Sequence, residues 1–241
     1  ACSIASLNAL RSCSVRARRC RLLAITTAGT PASGPIAIAR CSIGSAVPCP
    51  RGAIAGTGAS TGGVEALRRI LTELPPSMPP IVIAQHMLPG FTETFARRLD
   101  AICQLSVQEA RDGQDAQAGG VYIAPGGRHL VVEGRTGGYR LRLTDDPPVN
   151  RHRPSVDTLF RSLAQAAGSQ ATALLLTGMG ADGAEALLAL RRRGATTLAQ
   201  DEASSVVFGM PRQAIALGAA CEVLGLAAVA ARLQALCLRA Q

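Results

Sequence analysis

The chain has 241 residues, of which 48% are hydrophobic, enough to bury a sizeable core in one domain with an appendage or in two small domains. All 25 basic residues are arginine, and the lack of lysine excludes a P-loop, a Schiff-base enzyme and a Ser-Lys hydrolase. The net charge of +9 is uneven, because residues 1–50 carry six arginines and no acidic residue. The remainder is close to neutral and lacks the clustered basic and aromatic residues of a nucleic-acid interface, so we expect no nucleic-acid partner.

Residues 1–51 are predicted to form an irregular or disordered N-terminal extension, because they show no sustained helical or alternating period. A transit peptide or a fragment of a longer protein would have a similar composition. We expect one folded domain over residues 52–241. The sequence contains no run of eighteen apolar residues, which predicts that the chain does not insert into a membrane. The scattered cysteines have no metal-ligand spacing and indicate a reducing cytoplasm.

Strand-like and helix-like segments alternate through this domain. In chain order we predict a strand at 53–55, a helix over 64–74, a strand at 81–84 and a helix over 91–102. Three short strands follow at 121–124, 129–133 and 139–143, the last two joined as a hairpin. The predicted elements after the hairpin are a helix over 155–167 capped by Ser155, a strand at 171–177, a helix over 184–193, a strand at 196–199, a helix after Pro211 and a helix over 226–238.

Continuous apolar strands that alternate with helices indicate a mostly parallel sheet that is covered on both faces. The hairpin would be an antiparallel addition to that sheet. The sequence therefore predicts an α/β fold, a doubly wound, mostly parallel sheet with helices on both faces and an antiparallel β-hairpin addition.

A G-x-S-x-G motif spans residues 58–62 and centres on Ser60, between a predicted strand and a predicted helix. This is the context of a nucleophile elbow, in which glycines allow a tight turn and the helix start offers N–H groups to an oxyanion. The alternative is that Ser60 only caps the helix. Residues 56–58 also begin a dinucleotide-binding fingerprint, which fails because Thr61 stands at its third glycine position.

Three histidines are candidate bases for Ser60, namely His86, His129 and His152. His86 and Asp182 each follow a predicted buried strand, as Ser60 does, and the carboxyl ends of parallel strands gather at one edge of a sheet. We therefore prefer His86 as the base, although His86 and Asp182 could each have a structural role at a strand or helix end. His129 lies in or beside the hairpin, and His152 lies between two arginines that disfavour its charged form.

Five motifs occur in one order along the chain: GASTGG at 58–63, QHM at 85–87, PPVNRHRPSVD at 147–157, TGMGADG at 177–183 and VFGMP at 207–211. Together they closely resemble the catalytic domain of the bacterial chemotaxis protein-glutamate methylesterase. Five separated motifs in order are far more specific than any one of them. The resemblance covers roughly residues 52–238 and does not reach residues 1–50.

The resemblance implies a Ser-His-Asp hydrolase whose triad is Ser60, His86 and Asp182. Its substrate would be the γ-methyl ester of chemoreceptor glutamates, with deamidation of receptor glutamines as a second activity. The partners would be the cytoplasmic helices of methyl-accepting chemoreceptors, and the enzyme would be cytoplasmic and recruited to membrane-bound receptor arrays. We expect neither a cofactor nor a metal.

The same resemblance suggests where the substrate would be held. The backbone N–H groups of Thr61 and Met179 would stabilise the oxyanion. Arg151 and Arg153 would line a cleft suited to a glutamate-rich receptor helix, although a structural arginine network would explain them equally well.

Family members commonly carry an N-terminal phospho-receiver domain that restrains the active site. Residues 1–50 are too short for such a domain and hold no Asp or Glu, so the chain is expected to be a stand-alone enzyme or part of a longer product, and a separate regulatory protein could supply its control. Two alternatives to this function remain: a serine esterase or amidase with another substrate, and a non-enzymatic α/β module that binds an anion. A metal hydrolase is disfavoured because no histidine pair has i, i+4 spacing.

Overall fold

A seven-stranded parallel sheet forms the centre of the computed structural model, which describes residues 52–239 and the side chains of residues 52–236. The strands within this range are β1 (Ile54–Ala59), β2 (Ile81–Gln85), β3 (Ser106–Glu109), β4 (Asp115–Ala116), β5 (Gly120–Ile123), β6 (His129–Arg135), β7 (Gly138–Thr144), β8 (Ala171–Leu175), β9 (Thr196–Gln200) and β10 (Glu222–Leu224). The large sheet has the order β10-β9-β8-β1-β2-β5-β3. A second sheet, with the order β4-β7-β6, is antiparallel. The predicted extension over residues 1–51 lies outside the described residues.

Helices cover both faces of the large sheet, and each face has its own buried cluster. The helices are α1 (Gly63–Thr72), α2 (Phe91–Asp100), α3 (Val156–Ala166), α4 (Ala184–Arg192), α5 (Met210–Ala216) and α6 (Leu226–Arg239). Residues of α1, α2 and α6 pack in one cluster, and residues of α3, α4 and α5 pack with the β6–β7 hairpin in the other. The core is aliphatic, and each fully buried leucine or isoleucine stabilises the fold by about 1.5–3 kcal/mol.

The predicted fold class is confirmed, since the main sheet is parallel, carries helices on both faces and is accompanied by an antiparallel hairpin. One assignment within it was wrong. The first strand does not end at residue 55 but continues through two glycines to Ala59. The strand predicted at 121–124 is present largely as β5, which pairs with β2 and β3 in the parallel sheet. The short strands β3, β4 and β10 were not predicted because their sequences, SVQE, DA and EVL, contain few apolar residues.

Glycines in β1 allow helix α3 to lie very close to the sheet. A β-carbon on Gly56 would lie 2.3 Å from Leu163 Cδ1, and one on Gly58 would lie 2.2 Å from Val156 Cγ1. Side chains at these two positions would therefore push α3 away from the strand. Gly56 and Gly58 are the two glycines of the incomplete dinucleotide-binding fingerprint. Helix packing explains why glycine is needed at both positions.

No helix in the described part of the chain combines the length and apolarity that a membrane span requires.

Candidate active site

The candidate residues meet where the central strands end. The parallel register pairs Ala59 of β1 with Gln85 of β2, so Ser60 and His86 are the first residues beyond the two strands. The His86 N–H donates to the Ala59 carbonyl at 3.1 Å, and the Ser60 N–H donates to the Thr177 carbonyl at 3.0 Å. These bonds extend the sheet by one residue and hold the starting points of three loops side by side.

Ser60 is not a helix cap. The N-cap of α1 is Gly62, which makes no side-chain capping bond, and the Ser60 hydroxyl makes no hydrogen bond within residues 52–239. The Ser60 carbonyl, by contrast, accepts from the Gly63 N–H at 2.8 Å and from the Gln85 amide at 3.0 Å. The backbone of Ser60 is therefore fixed while its hydroxyl is left available.

His86 is oriented by Asp182. Its Nε2 lies 2.8 Å from the Asp182 carboxylate, and its side chain is only 9% exposed. An ionised carboxylate only accepts hydrogen bonds, so Nε2 carries the proton and Nδ1 of the neutral ring keeps its lone pair. This Nδ1 is buried and has no partner in the described structure. A base with an unused lone pair therefore follows the strand next to that of Ser60, and no hydrogen bond joins its ring to the Ser60 hydroxyl within the described residues. Such contacts often tighten only with substrate.

The side chain of Asp182 is fully buried and accepts hydrogen bonds on both oxygens. One oxygen accepts from the Asn150 amide and the Ser155 hydroxyl, both at 2.8 Å. The other accepts from the Val156 N–H at 2.7 Å in addition to His86. Burial would raise the pKa of Asp182, but these bonds outweigh it and hold the pKa at about 2. Asp182 is therefore an anion at neutral pH.

The start of helix α3 supplies most of these donors. Ser155 is its N-cap, as predicted, because the Ser155 hydroxyl accepts from the Thr158 N–H. The same hydroxyl donates to Asp182, and the first two helical N–H groups, of Val156 and Asp157, point at the same carboxylate. A helix N-terminus favours a negative charge. Asp182 is thus not the cap of its own helix α4, whose N-cap is Gly183, but the anion bound by α3.

A tight turn before α3 supplies the remaining donor. Val149 and His152 exchange two backbone hydrogen bonds around Asn150 and Arg151, which have φ values of 52° and 66°. Two left-handed central residues are the signature of a type I′ turn. The turn directs the Asn150 amide toward both Asp182, at 2.8 Å, and the buried Asp157, at 2.7 Å.

The two other histidines have different environments. His129 is fully buried, its Nε2 is 3.1 Å from the Pro147 carbonyl, and its Nδ1 accepts from the Ser155 N–H. Both of its nitrogens are thus used in holding the loop before α3, which leaves His86 as the better base. His152 instead stacks on His86. Its pKa is lowered as predicted, but the causes are burial first and His86 second, rather than the neighbouring arginines.

Two loops near Ser60 contain backbone N–H groups that have no acceptor among the described residues. Those of Thr61 and Met179 donate no hydrogen bond within the described residues, a property that they share with other N–H groups of the same two loops. Gly178 brings the second loop close, because a β-carbon there would lie 2.7 Å from the Ser60 Cβ. The site can therefore stabilise negative charge that develops next to the serine.

The two arginines named from the sequence have different environments. Arg153 donates to the carbonyls of Asp145 and Asp146, at 3.0 and 3.2 Å, and so holds a loop. Arg151 is exposed at the tip of the type I′ turn and makes no hydrogen bond or ion pair within residues 52–239.

His86, His152 and Asp182 each offer a potential metal ligand, and these atoms lie within 4.8 Å of one another. The geometry suits a metal poorly. Parallel imidazole rings direct their lone pairs side by side rather than toward one point, and both Asp182 oxygens are already used as acceptors. The arrangement fits the transfer of a proton better than coordination of an ion.

Sequence reasoning missed three contributors. The Gln85 amide donates to the carbonyls of both Ser60 and His86, Asn150 binds Asp182, and His152 stacks on His86. Each lies inside a motif that was recognised. Their contacts join positions up to 66 residues apart, between His86 and His152, and no local pattern encodes such a contact.

Comparison with known proteins agrees with this geometry. The family model for the CheB methylesterase matches residues 55–233. The chain belongs to the CheB methylesterase family. Two relatives bear the name protein-glutamate methylesterase/protein-glutamine glutaminase: that of Pectobacterium atrosepticum, 57% identical over 178 residues, and that of Bordetella pertussis, 59% identical over 177. The matches cover 74% and 73% of this chain, and the chain spans about half, 51%, of the length of each relative.

A solved structure extends the comparison to the fold of the CheB methylesterase family. The crystal structure of the Thermotoga maritima CheB methylesterase catalytic domain is 40% identical to the chain, with a TM-score of 0.75. The match covers 77% of this chain and 98% of that domain. The described part of the chain therefore has the fold of a CheB methylesterase catalytic domain.

Proposed function

We propose that the chain is a serine hydrolase that removes methyl groups from glutamate γ-methyl esters of chemoreceptors, with glutamine deamidation as a second activity. The observation that carries the proposal is the His86–Asp182 pair at 2.8 Å, in which His86 keeps an unused Nδ1 and follows the strand next to the one that Ser60 follows. Membership of the CheB methylesterase family supports the substrate class. The catalytic domain would be residues 52–241.

In the proposed reaction Ser60 is the nucleophile. His86 Nδ1 takes the hydroxyl proton as the Ser60 oxygen attacks the ester carbonyl, and Asp182 stabilises the resulting imidazolium. His86 then gives the proton to the departing methoxide, which leaves as methanol. Water that is deprotonated by His86 next attacks the acyl-enzyme and releases the glutamate carboxylate. With a glutamine side chain the same steps would release ammonia. Nδ1 rather than Nε2 would act as the base, the reverse of the arrangement in trypsin-like enzymes.

The N–H groups of Thr61 and Met179 are proposed to stabilise the tetrahedral oxyanion, because both lack an acceptor, Thr61 follows Ser60 and Met179 follows Gly178, which lies against Ser60. We assign Arg151 to the recognition of acidic receptor helices. Arg153 would support the same cleft indirectly by anchoring the loop at Asp145 and Asp146.

The proposed partners are the cytoplasmic helices of methyl-accepting chemoreceptors, so the enzyme would act in the cytoplasm at membrane-bound receptor arrays. Control could come from a separate regulatory protein.

The decisive experiment measures methanol release from methylated chemoreceptor membranes by the wild-type chain and by Ser60→Ala. We expect release by the wild type and a loss of at least about 10⁴-fold in the variant, because the remaining groups of such a site retain little activity alone. Ser106→Ala is the matched control, since Ser106 is an exposed serine on the edge strand β3 and should leave turnover unchanged.

A second candidate function is that of an esterase or amidase with a different substrate. The site geometry supports this function equally well, because only family membership points to the receptor ester. Turnover of simple esters that depends on Ser60, combined with no methanol from methylated receptors, would support this candidate and reject the first. Equal methanol release by wild type and Ser60→Ala would reject both. A module that only binds an anion would show no turnover of either substrate.

A further inference from the structure

The ring of His152 lies flat against the ring of His86. The ring centroids are 3.7 Å apart and the ring planes differ by 8°, which is a face-to-face stack. Nδ1 of each ring is buried and has no hydrogen-bond partner in the described structure. Nothing in the mechanism above uses His152, so the stack requires its own explanation.

His152 is held in place by the same carboxylate that orients His86. Its backbone closes the type I′ turn through two hydrogen bonds with Val149, at 2.9 and 3.1 Å. Asn150, inside this turn, donates to Asp182, which in turn binds His86 Nε2. Both rings are therefore linked to Asp182, His86 directly and His152 through the turn that holds Asn150.

We propose that His152 is a positioning residue that confines the His86 ring to the plane in which Nε2 meets Asp182 and Nδ1 meets Ser60. One face of His86 is covered by the second ring, so rotation of the imidazole about its Cβ–Cγ bond would drive it into His152. A neutral aromatic face against His86 also stabilises the imidazolium that forms during the reaction. This inference rests on the proposed hydrolase mechanism.

The charge state of His152 suits this role. Two stacked imidazoles cannot both be cations without strong repulsion. Burial lowers the pKa of His152 first, and the nearby His86 lowers it further, while Asp182 acts in the opposite direction. The lowered pKa favours the neutral form of His152 beside the imidazolium that His86 forms in the proposed reaction.

The test uses a fluorophosphonate, which reacts with an activated serine without any receptor substrate. The Ser60 oxygen forms a bond to phosphorus, fluoride leaves, and His86 takes the hydroxyl proton. The second-order rate of labelling of the full chain is measured for wild type, Ser60→Ala, His152→Ala and His152→Phe. Labelling of His152→Ala should be about 10- to 100-fold slower than that of wild type, the effect of small misplacements at a reacting centre. His152→Phe, which keeps the aromatic face, should be within about threefold of wild type.

Val223→Ala is the control, because it shortens an exposed side chain on the edge strand β10, outside the site; its rate should be unchanged. With methylated receptors as substrate, His152→Ala should lower kcat and leave KM nearly constant, since the substrate does not need His152 to bind. A melting curve establishes that each variant is folded. If His152→Ala is unfolded, His152→Leu replaces it, because leucine fills the space without a flat ring and should also label slowly.

The results separate the two levels of inference. A labelled wild type with an equally fast His152→Ala, or a His152→Phe as slow as His152→Ala, overturns the positioning role and leaves the hydrolase intact. A folded wild type that is not labelled overturns the proposed function, and this inference with it.

Discussion

Replacement of Asp182 by asparagine tests the central pair most directly, because the side chain keeps its shape and loses its charge. The amide oxygen is best placed where Asn150 and Ser155 donate, which leaves the amide nitrogen facing His86 and the Val156 N–H. His86 Nε2 must then accept a hydrogen bond, so the ring proton moves to Nδ1. A protonated Nδ1 cannot take the proton of Ser60, and kcat should fall by about 10⁴-fold.

The same substitution has a cost in stability that follows from the pKa of Asp182. A value lowered from 3.8 to about 2 stabilises the folded state by about 2 kcal/mol at neutral pH. The side chain is fully buried, so solvent screening reduces this little. Because the folded-state pKa is the lower one, the stabilisation is complete well above pH 4 and disappears as the pH falls toward 2. About half should remain at pH 3.

Denaturant unfolding of wild type and Asp182→Asn at pH 7 and pH 3 measures this difference. We expect the variant to be less stable by about 2 kcal/mol or more at pH 7, and the gap to shrink at pH 3. Asp145→Asn is the control, because Asp145 is 72% exposed in a surface ion pair with Arg128, and such pairs contribute at most about 1 kcal/mol. A stability gap that does not change with pH, or a variant that keeps a tenth of its turnover, would refute this account of Asp182.

Two further predictions concern the backbone around the site. Gly178→Ala would place a methyl group 2.7 Å from the Ser60 Cβ and 2.3 Å from the Met210 sulfur, so we expect about a 100-fold loss of ester turnover in a protein that still folds, as circular dichroism can verify. Gln85→Leu removes the donor that the carbonyls of Ser60 and His86 share, so turnover should fall by about tenfold with KM nearly constant, measured by steady-state kinetics with a soluble ester. An unchanged kcat in either variant would show that the contact does not position the serine.

Much of the fold was predictable because local patterns and parallel pairing point to the same arrangement. The strand predicted over 171–177 and the cap at Ser155 have strong local signals; the strand is present as Ala171–Leu175, and the cap is present. The extent of β1 was not predictable, because glycines normally end a strand. Gly56 and Gly58 continue the strand because α3 packs against them, and that helix lies about a hundred residues further along the chain.

The candidate site shows the same division. Strand ends predicted that Ser60, His86 and Asp182 would converge, and the structure brings His86 into direct contact with Asp182. The identity of the groups that hold Asp182 could not be predicted, since they come from a helix start and a turn in a different segment. His152 was rejected as a base because of its two neighbouring arginines. The folded structure shows a different reason, which is that His152 is partly buried and stacks on the ring of His86.

The close packing of α3 on β1 has a consequence for anyone who wants to move this chemistry to another scaffold. The Val156 side chain packs against Gly58 and Gly183. This packing places the Val156 N–H where it donates to the Asp182 carboxylate. Grafting three side chains onto a different α/β sheet would therefore transfer the reactive groups without their electrostatic support. A graft must therefore include β1 and α3 together. A redesign should keep glycine at positions 56 and 58.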